Sequence, residues 1–137
     1  MIWEEVLVDH SLTFNEIADT LSKLFSVSPA NILVIDDIAK VSVNKHVRIL
    51  CERMQIKGDF SIRLSIYLRD PDLEQLESKV IIGQFCDILH CKCLMSDESL
   101  NPFSWLLVQG SSNIQAVFLN PDKFEKEEYV IEKSATD

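Results

Sequence analysis

One segment with strict alternation constrains the fold of this chain more than any other feature. Its apolar side chains occupy every second position, at Phe60, Ile62, Leu64, Ile66 and Leu68. The intervening positions hold Ser61, Arg63, Ser65, Tyr67 and Arg69. Because successive side chains of a strand point to opposite faces, the pattern predicts a strand in a sheet with one buried face and one solvated, partly cationic face.

Two further segments carry the signals of helices. Thr13 and Glu16 have the spacing of a capping box, and the apolar residues within 14–25 recur at helical spacing, which predicts a first helix there. The dipeptide Asp70-Pro71 predicts the N-cap and the first turn of a second helix. Gly83 lies among the apolar residues of that second helix and predicts close packing against another element.

Shorter apolar runs predict the remaining strands, including a hairpin formed by residues 103–109 and 114–119. The resulting order is β-α-β-β-β-α-β-β-β. Strands in series with interposed helices indicate the α+β class, here a mostly antiparallel sheet of five to seven strands with two helices packed on one face. Residues 1–137 are predicted to form a single α+β domain, with residues 122–137 as a charged peripheral tail.

The charge and the N-terminal sequence argue against several classes of function. The chain has 137 residues and a formal net charge of −9. Because phosphate affinity comes mainly from Lys and Arg, direct binding of nucleic acid is not expected. Glu4 and Glu5 lie where a secretory signal has basic residues, and no apolar run approaches the roughly 18 residues that cross a bilayer. We therefore expect a cytoplasmic protein with no membrane partner.

The acids and bases are sorted along the chain rather than mixed. Residues 40–69 contain seven of the 13 Lys and Arg residues and only two acids, so this segment carries +5 and the rest of the chain carries −14. A net charge of this size strengthens the electrostatic steering of the chain toward a basic partner.

The main functional prediction is an edge of the sheet that is lined by carboxylates. If the first helix is a crossover and the next strands alternate in direction, four strands end on one edge. The residues after those strand ends are Asp9, Asp36, Asp37, Asp70, Asp72, Asp97 and Glu98. This acidic rim is predicted to bind a basic partner or a divalent cation. The alternative is that its members are only solvated turn and cap residues, a common role of Asp.

A secondary patch is predicted on the solvated face of the alternating strand. It consists of Arg63, Tyr67 and Arg69, where guanidinium groups and an aromatic ring can stack. The alternative is that these side chains pair with acids on neighbouring strands, such as Glu5 or Glu52, or with Glu4.

The segment His90-Cys91-Lys92-Cys93 contains residue types that bind metals. Structural zinc sites usually have four ligands in paired Cys-x-x-Cys spacings, which this segment lacks. We therefore expect Cys91 and Cys93 to fill the core as small apolar side chains. The sequence predicts no catalytic residue, no cofactor and no metal site.

These features predict a non-catalytic acidic protein-binding module that captures a basic protein partner. In size and charge the chain is similar to bacterial immunity proteins, and this resemblance implies neutralisation of a cognate toxin, often a cationic nuclease. Two alternatives stay open, a small acidic secretion or assembly chaperone and a metal-dependent phosphate-ester enzyme that uses the clustered aspartates. The sequence does not identify the partner, and it leaves open whether the chain forms a homodimer.

Overall fold

The computed structural model describes residues 2–134 of the chain. Its α-helices are α1 (Phe14–Phe25), α2 (Ser78–Leu89) and α3 (Pro121–Glu125). Its strands are β1 (Ile2–Val8), β2 (Ile32–Ile35), β3 (Ile49–Gln55), β4 (Lys57–Gly58), β5 (Ile62–Leu68), β6 (Cys93–Ser96), β7 (Ser104–Gly110), β8 (Asn113–Leu119), β9 (Glu128–Tyr129) and β10 (Ile131–Ser134).

Eight of these strands form one sheet in the order β10-β8-β7-β6-β1-β5-β3-β2. Neighbouring strands are antiparallel except for β2 and β3, which are parallel, with Ile32 opposite Ile49. The strands β4 and β9 pair separately. The α+β class and the mostly antiparallel sheet are confirmed, whereas the predicted strand number and order match only roughly.

The helix α1 begins with the predicted capping box. The Thr13 Oγ1 accepts a hydrogen bond from the Glu16 backbone N–H at 3.1 Å, and the Glu16 carboxylate accepts one from the Thr13 backbone N–H at 3.0 Å. The apolar side of α1 is buried against the sheet through residues that include Ile17 and Leu21. The helix ends where Ser26 adopts a left-handed conformation with φ 54°.

The second helix begins later than predicted. Asp70 caps a short 3-10 helix, Pro71–Gln75, by accepting a hydrogen bond from the Asp72 backbone N–H at 3.0 Å. Leu76 is extended, with ψ 135°, so the chain leaves that turn before α2 starts at Ser78. Asp70-Pro71 therefore begins a separate 3-10 turn that precedes α2, and it does not begin α2 itself.

The two long helices lie on one face of the sheet, and two other segments cover parts of the opposite face. The loop between β2 and β3 covers an apolar cluster around Ile35 and Leu50. The C-terminal segment covers a second cluster with Phe124, Tyr129 and Ile131. Residues 122–134 were predicted to form a charged peripheral tail, but these apolar side chains and the pairing of β10 with β8 make them part of the fold. Residues 135–137 of that predicted tail lie outside the described residues.

Candidate functional site

The directions of the strands divide the predicted acidic rim. The strands β1, β2 and β3 run one way, and β5 and β6 run the other way. The premise that strands alternate after β2 is wrong, because the connection of residues 36–48 carries the chain back so that β3 lies parallel to β2. The strand β5 is antiparallel to β3, so it ends at the opposite end of the sheet from β1.

The seven predicted rim residues therefore occupy three places. Asp9 follows β1 at one end of the sheet, next to the start of β6. Asp36 and Asp37 follow β2, an edge strand that β3 and β5 separate from β1. Four members lie at the end where β1 begins and where β5 and β6 finish, namely Asp70, Asp72, Asp97 and Glu98. The prediction of one common edge is wrong for Asp9, Asp36 and Asp37.

The end of the sheet where β1 begins is nevertheless rich in carboxylates. Three of these carboxylates were not predicted to share one surface with the others. Glu4 lies on β1, and Glu74 and Glu77 lie in the turn and at the helix start that follow β5. We call this surface the acidic end. It comprises Glu4, Asp70, Asp72, Glu74, Glu77, Asp97 and Glu98.

Some of these carboxylates have structural partners. The Arg48 Nε donates a hydrogen bond to the Asp70 Oδ2 at 2.8 Å, and this interaction lowers the pKa of Asp70. Asp97 accepts hydrogen bonds from the Ser104 hydroxyl and the Ser99 backbone N–H. Burial opposes ionisation of Asp97, but these hydrogen bonds outweigh burial and lower its pKa. These two predicted rim residues therefore serve the fold, as the alternative interpretation expected.

The charged form of Glu4, a carboxylate of the acidic end, is disfavoured. Its side chain is half-buried, and this burial raises its pKa. The Ser78 hydroxyl acts in the opposite direction, and the negative charge of Glu98 adds to the rise. Burial is the main cause of this rise, and the smaller contribution of Glu98 is a repulsion between two carboxylates that a positive partner would relieve.

Exposed apolar side chains accompany the carboxylates at this end. Leu100, in the loop between β6 and β7, is fully exposed. Val80, in the first turn of α2, is 50% exposed, and Ile2 and Leu76 are exposed to 42% and 40%. The acidic end thus combines apolar groups with a surrounding negative charge.

The predicted secondary patch is not a free cationic surface. The Arg63 Nε lies 3.1 Å from the Glu5 Oε1 in an ion pair across β1 and β5. The Arg69 side chain donates a hydrogen bond to the Asn44 carbonyl at 2.9 Å, and Tyr67 packs beside the cluster that contains Leu50. Arg63 therefore pairs with an acid on the neighbouring strand, which was the alternative interpretation of this patch.

The opposite end of the sheet brings together three cysteines, which we call the cysteine cluster: Cys86, Cys91 and Cys93. Their sulfur atoms all lie within 4.8 Å of one another, and the three side chains are buried. Among the side chains that the structure describes, no other group of three or more His, Cys, Asp or Glu ligands is this compact. Cys91 and Cys93 are buried as expected, but their meeting with Cys86 was missed.

The end of α2 causes this meeting. His90 follows the helix in a left-handed conformation, with φ 52°, and the chain reverses there. The Cys91 backbone N–H then donates to the Cys86 carbonyl at 3.3 Å, which places Cys91 beside the last turn of α2. The only signal in the sequence was a cysteine near the end of a helix, followed after a short interval by two cysteines at the start of the next strand and two positions before it.

A pocket of about 410 Å³ adjoins the cysteine cluster. Its lining comprises Asp9, His10, Cys86, Asp87, His90, Cys91, Lys92 and Gln109. The Asp9 carboxylate accepts a hydrogen bond from the Lys92 backbone N–H at 2.8 Å and lies 2.7 Å from the His10 Nδ1. This pairing raises the pKa of His10.

Compared with protein-family models, with curated proteins and with solved structures, the chain matches none of them. In the part of the chain that the structure describes, the helices are too short or too polar to cross a membrane. The fold class alone does not define a function, so the functional argument depends on the acidic end and the cysteine cluster.

Proposed function

We propose that this chain is a non-catalytic module that captures a basic protein partner through its acidic end. The observation that carries this proposal is the presence of exposed carboxylates around exposed apolar side chains at that end. In protein interfaces, apolar contacts at the centre supply much of the affinity, while charges at the rim steer the encounter and exclude wrong partners.

The charge balance of the acidic end supports the choice of a basic partner. Among its carboxylates, the structure pairs Asp70 with an arginine, whereas Glu74, Glu77 and Glu98 are exposed to solvent. The four arginines of residues 40–69 have partners within the fold. The Arg53 side chain donates a hydrogen bond to the Leu12 carbonyl at 2.8 Å, and the contacts of Arg48, Arg63 and Arg69 are described above. These contacts engage the arginines within the fold, and the chain as a whole carries a net charge of −9.

More specifically, we propose that the partner is a toxin with a basic surface and that the chain acts as an immunity-type protein. Small size and high negative charge support this proposal. A chaperone of extended clients has less support, because nothing at the acidic end favours an extended segment. A phosphate-ester enzyme requires clustered metal-binding carboxylates. It has little support, since Asp9, Asp36 and Asp37 lie away from the acidic end.

Matched charge reversals test the docking surface. Glu77→Lys with Glu98→Lys changes the acidic end, and Asp19→Lys with Glu125→Lys makes the same change in net charge at exposed positions elsewhere. The binding partner is first isolated on immobilised wild-type chain from the source cells and purified. We expect the acidic-end pair to lower its association rate about 10-fold or more at low salt, and the control pair to have a much smaller effect.

A third variant separates apolar contact from charge. Leu100→Ser leaves the folded chain intact because Leu100 is fully exposed, and it leaves the net charge unchanged, so we expect it to speed dissociation of the partner. Equal effects of the two charge-reversal pairs, or a retained partner with an acidic surface, would contradict the proposal. The toxin assignment fails separately if the purified partner does not inhibit growth when it is expressed without this chain.

A further inference from the structure

We propose that Cys86, Cys91 and Cys93 form a zinc site, in which three thiolates and one oxygen or nitrogen ligand from the adjoining pocket hold the ion. This site lies at the opposite end of the sheet from the acidic end, and it is independent of the proposed docking function. It departs from the sequence prediction, which expected no metal site and expected Cys91 and Cys93 only to fill the core.

The distances fit the geometry of zinc. Zn–S bonds of about 2.3 Å in a tetrahedral site place sulfur atoms about 3.8 Å apart. The three sulfur atoms already lie within 4.8 Å of one another, so they need to move by only about 1 Å to reach that separation. They come from two rigid elements, since Cys86 is on α2 and Cys93 is on β6, with Cys91 between them.

The surroundings favour a cation. The cluster lies at the C-terminal end of α2, where the unpaired carbonyls give the helix a partial negative charge. The Asp9 carboxylate accepts a hydrogen bond from the backbone N–H of Lys92, the residue between Cys91 and Cys93. Three thiols so close together cannot all ionise unless a positive charge joins them.

Zinc binding must release protons from the thiols, because the thiolate and not the thiol is the metal ligand. Zinc that binds to all three sulfurs must therefore displace thiol protons, and its affinity must fall as the pH falls.

The pocket supplies the fourth ligand. Cys86 and Cys91 both line it, together with Asp9, His10 and His90. A histidine nitrogen, a carboxylate oxygen or a water molecule from this side completes a tetrahedral set. Three protein thiolates with a fourth position toward a pocket make the ion accessible from solvent.

The chain contains its own control for this site. Cys51 is as fully buried as Cys93 and lies on β3, between β5 and β2, but it is not part of the cysteine cluster. Burial raises the pKa of Cys51 to about 12, as expected for a thiol in an apolar core. Cys51→Ala and Cys93→Ala therefore remove equally buried thiols, of which only one is a proposed ligand.

The test is a zinc titration of the reduced chain in competition with a chromophoric chelator. We expect one zinc ion to bind per chain, Cys51→Ala to retain this affinity, and Cys93→Ala to lose more than about 100-fold, the upper range for loss of a residue that only supports a ligand. Absence of stoichiometric binding by the wild type, binding of Cu(I) but not of zinc, or equal losses in the two variants would overturn the proposal.

A measurement on the wild type covers the case in which Cys93→Ala does not fold. Cobalt(II) replaces zinc in thiolate sites and gives absorption bands that report tetrahedral geometry and sulfur ligation. We expect intense visible bands and a near-ultraviolet charge-transfer band whose intensity corresponds to three Co–S bonds. Weak visible bands of octahedral cobalt, or charge transfer that corresponds to one Co–S bond, would refute the three-thiolate site.

Discussion

Gly83→Ala sets two known effects against each other and tests how closely α2 packs on the β7–β8 hairpin. Gly83 lies in α2, and a Cβ atom at this position would be 2.9 Å from the Ser111 Cα and 3.3 Å from the Ser111 backbone nitrogen. Alanine favours a helix over glycine by about 0.8–1.0 kcal/mol. Contact with backbone atoms is not relieved by rotation of a side chain, and overpacking of this kind costs about 1–3 kcal/mol.

We expect the steric clash to outweigh the higher helix propensity of alanine, because hydrogen bonds hold the hairpin to the same helix. The Asp87 carboxylate, one turn after Gly83, accepts hydrogen bonds from the Ser111 backbone N–H at 3.2 Å and from the Ser111 hydroxyl. The hairpin therefore cannot move away from α2 without breaking these bonds. The difference between the two effects predicts a net loss of about 1 kcal/mol, within a range from near zero to about 2 kcal/mol.

Urea unfolding followed by circular dichroism measures this loss. Gln84→Ala is the control, since Gln84 is exposed on the same helix next to Gly83. In a double-mutant cycle, Asp87→Ala frees the hairpin and should reduce the cost of Gly83→Ala. An increase in the free energy of unfolding of Gly83→Ala, or a cost that is unchanged in the Asp87→Ala background, would refute the reasoning.

Two other predictions concern local features of the fold. Thr13→Ala removes a side chain that accepts the Glu16 backbone N–H, and we expect it to lower the free energy of unfolding by about 1 kcal/mol, measured by urea unfolding, with no loss if the cap does not form in solution. Burial raises the pKa of Glu4, so the folded chain holds this proton more tightly than the unfolded chain does. The resulting stability is fully present below the unfolded pKa and is lost as the pH rises through the folded pKa. Glu4→Gln should therefore unfold at higher urea than the wild type at pH 7, and the difference should shrink as the pH is lowered past the pKa of glutamate; a difference that is constant with pH would contradict this assignment.

Periodicity and capping signals were sufficient for the elements that depend on neighbouring residues. The alternation that predicted a strand over 60–69 corresponds to β5, and the capping box correctly located α1. The predicted hairpin is formed by β7 and β8, and Gly83 does allow a close contact with it. These features need only a few adjacent side chains, so their physical causes are visible in the sequence itself.

The candidate sites could be predicted only in part, because they depend on how distant segments pair. Asp70, Asp72, Asp97 and Glu98 were correctly expected at one end, since β5 and β6 run in the same direction. Asp9 and Asp36 were misplaced, because no local signal shows that residues 36–48 return the chain for a parallel pairing of β2 and β3. The positions of the carboxylates depend on the directions of the strands, and the sequence pattern does not indicate these directions.

The sequence by itself determined the α+β class, the helix α1, the alternating strand β5 and the negative charge of the chain. The tertiary structure alone decided which carboxylates share an end of the sheet and brought Cys86 next to Cys91 and Cys93. The physical reason is the range of the interactions. Periodicity and caps act over a few residues, whereas strand order is set by the burial of apolar faces between segments far apart in the chain.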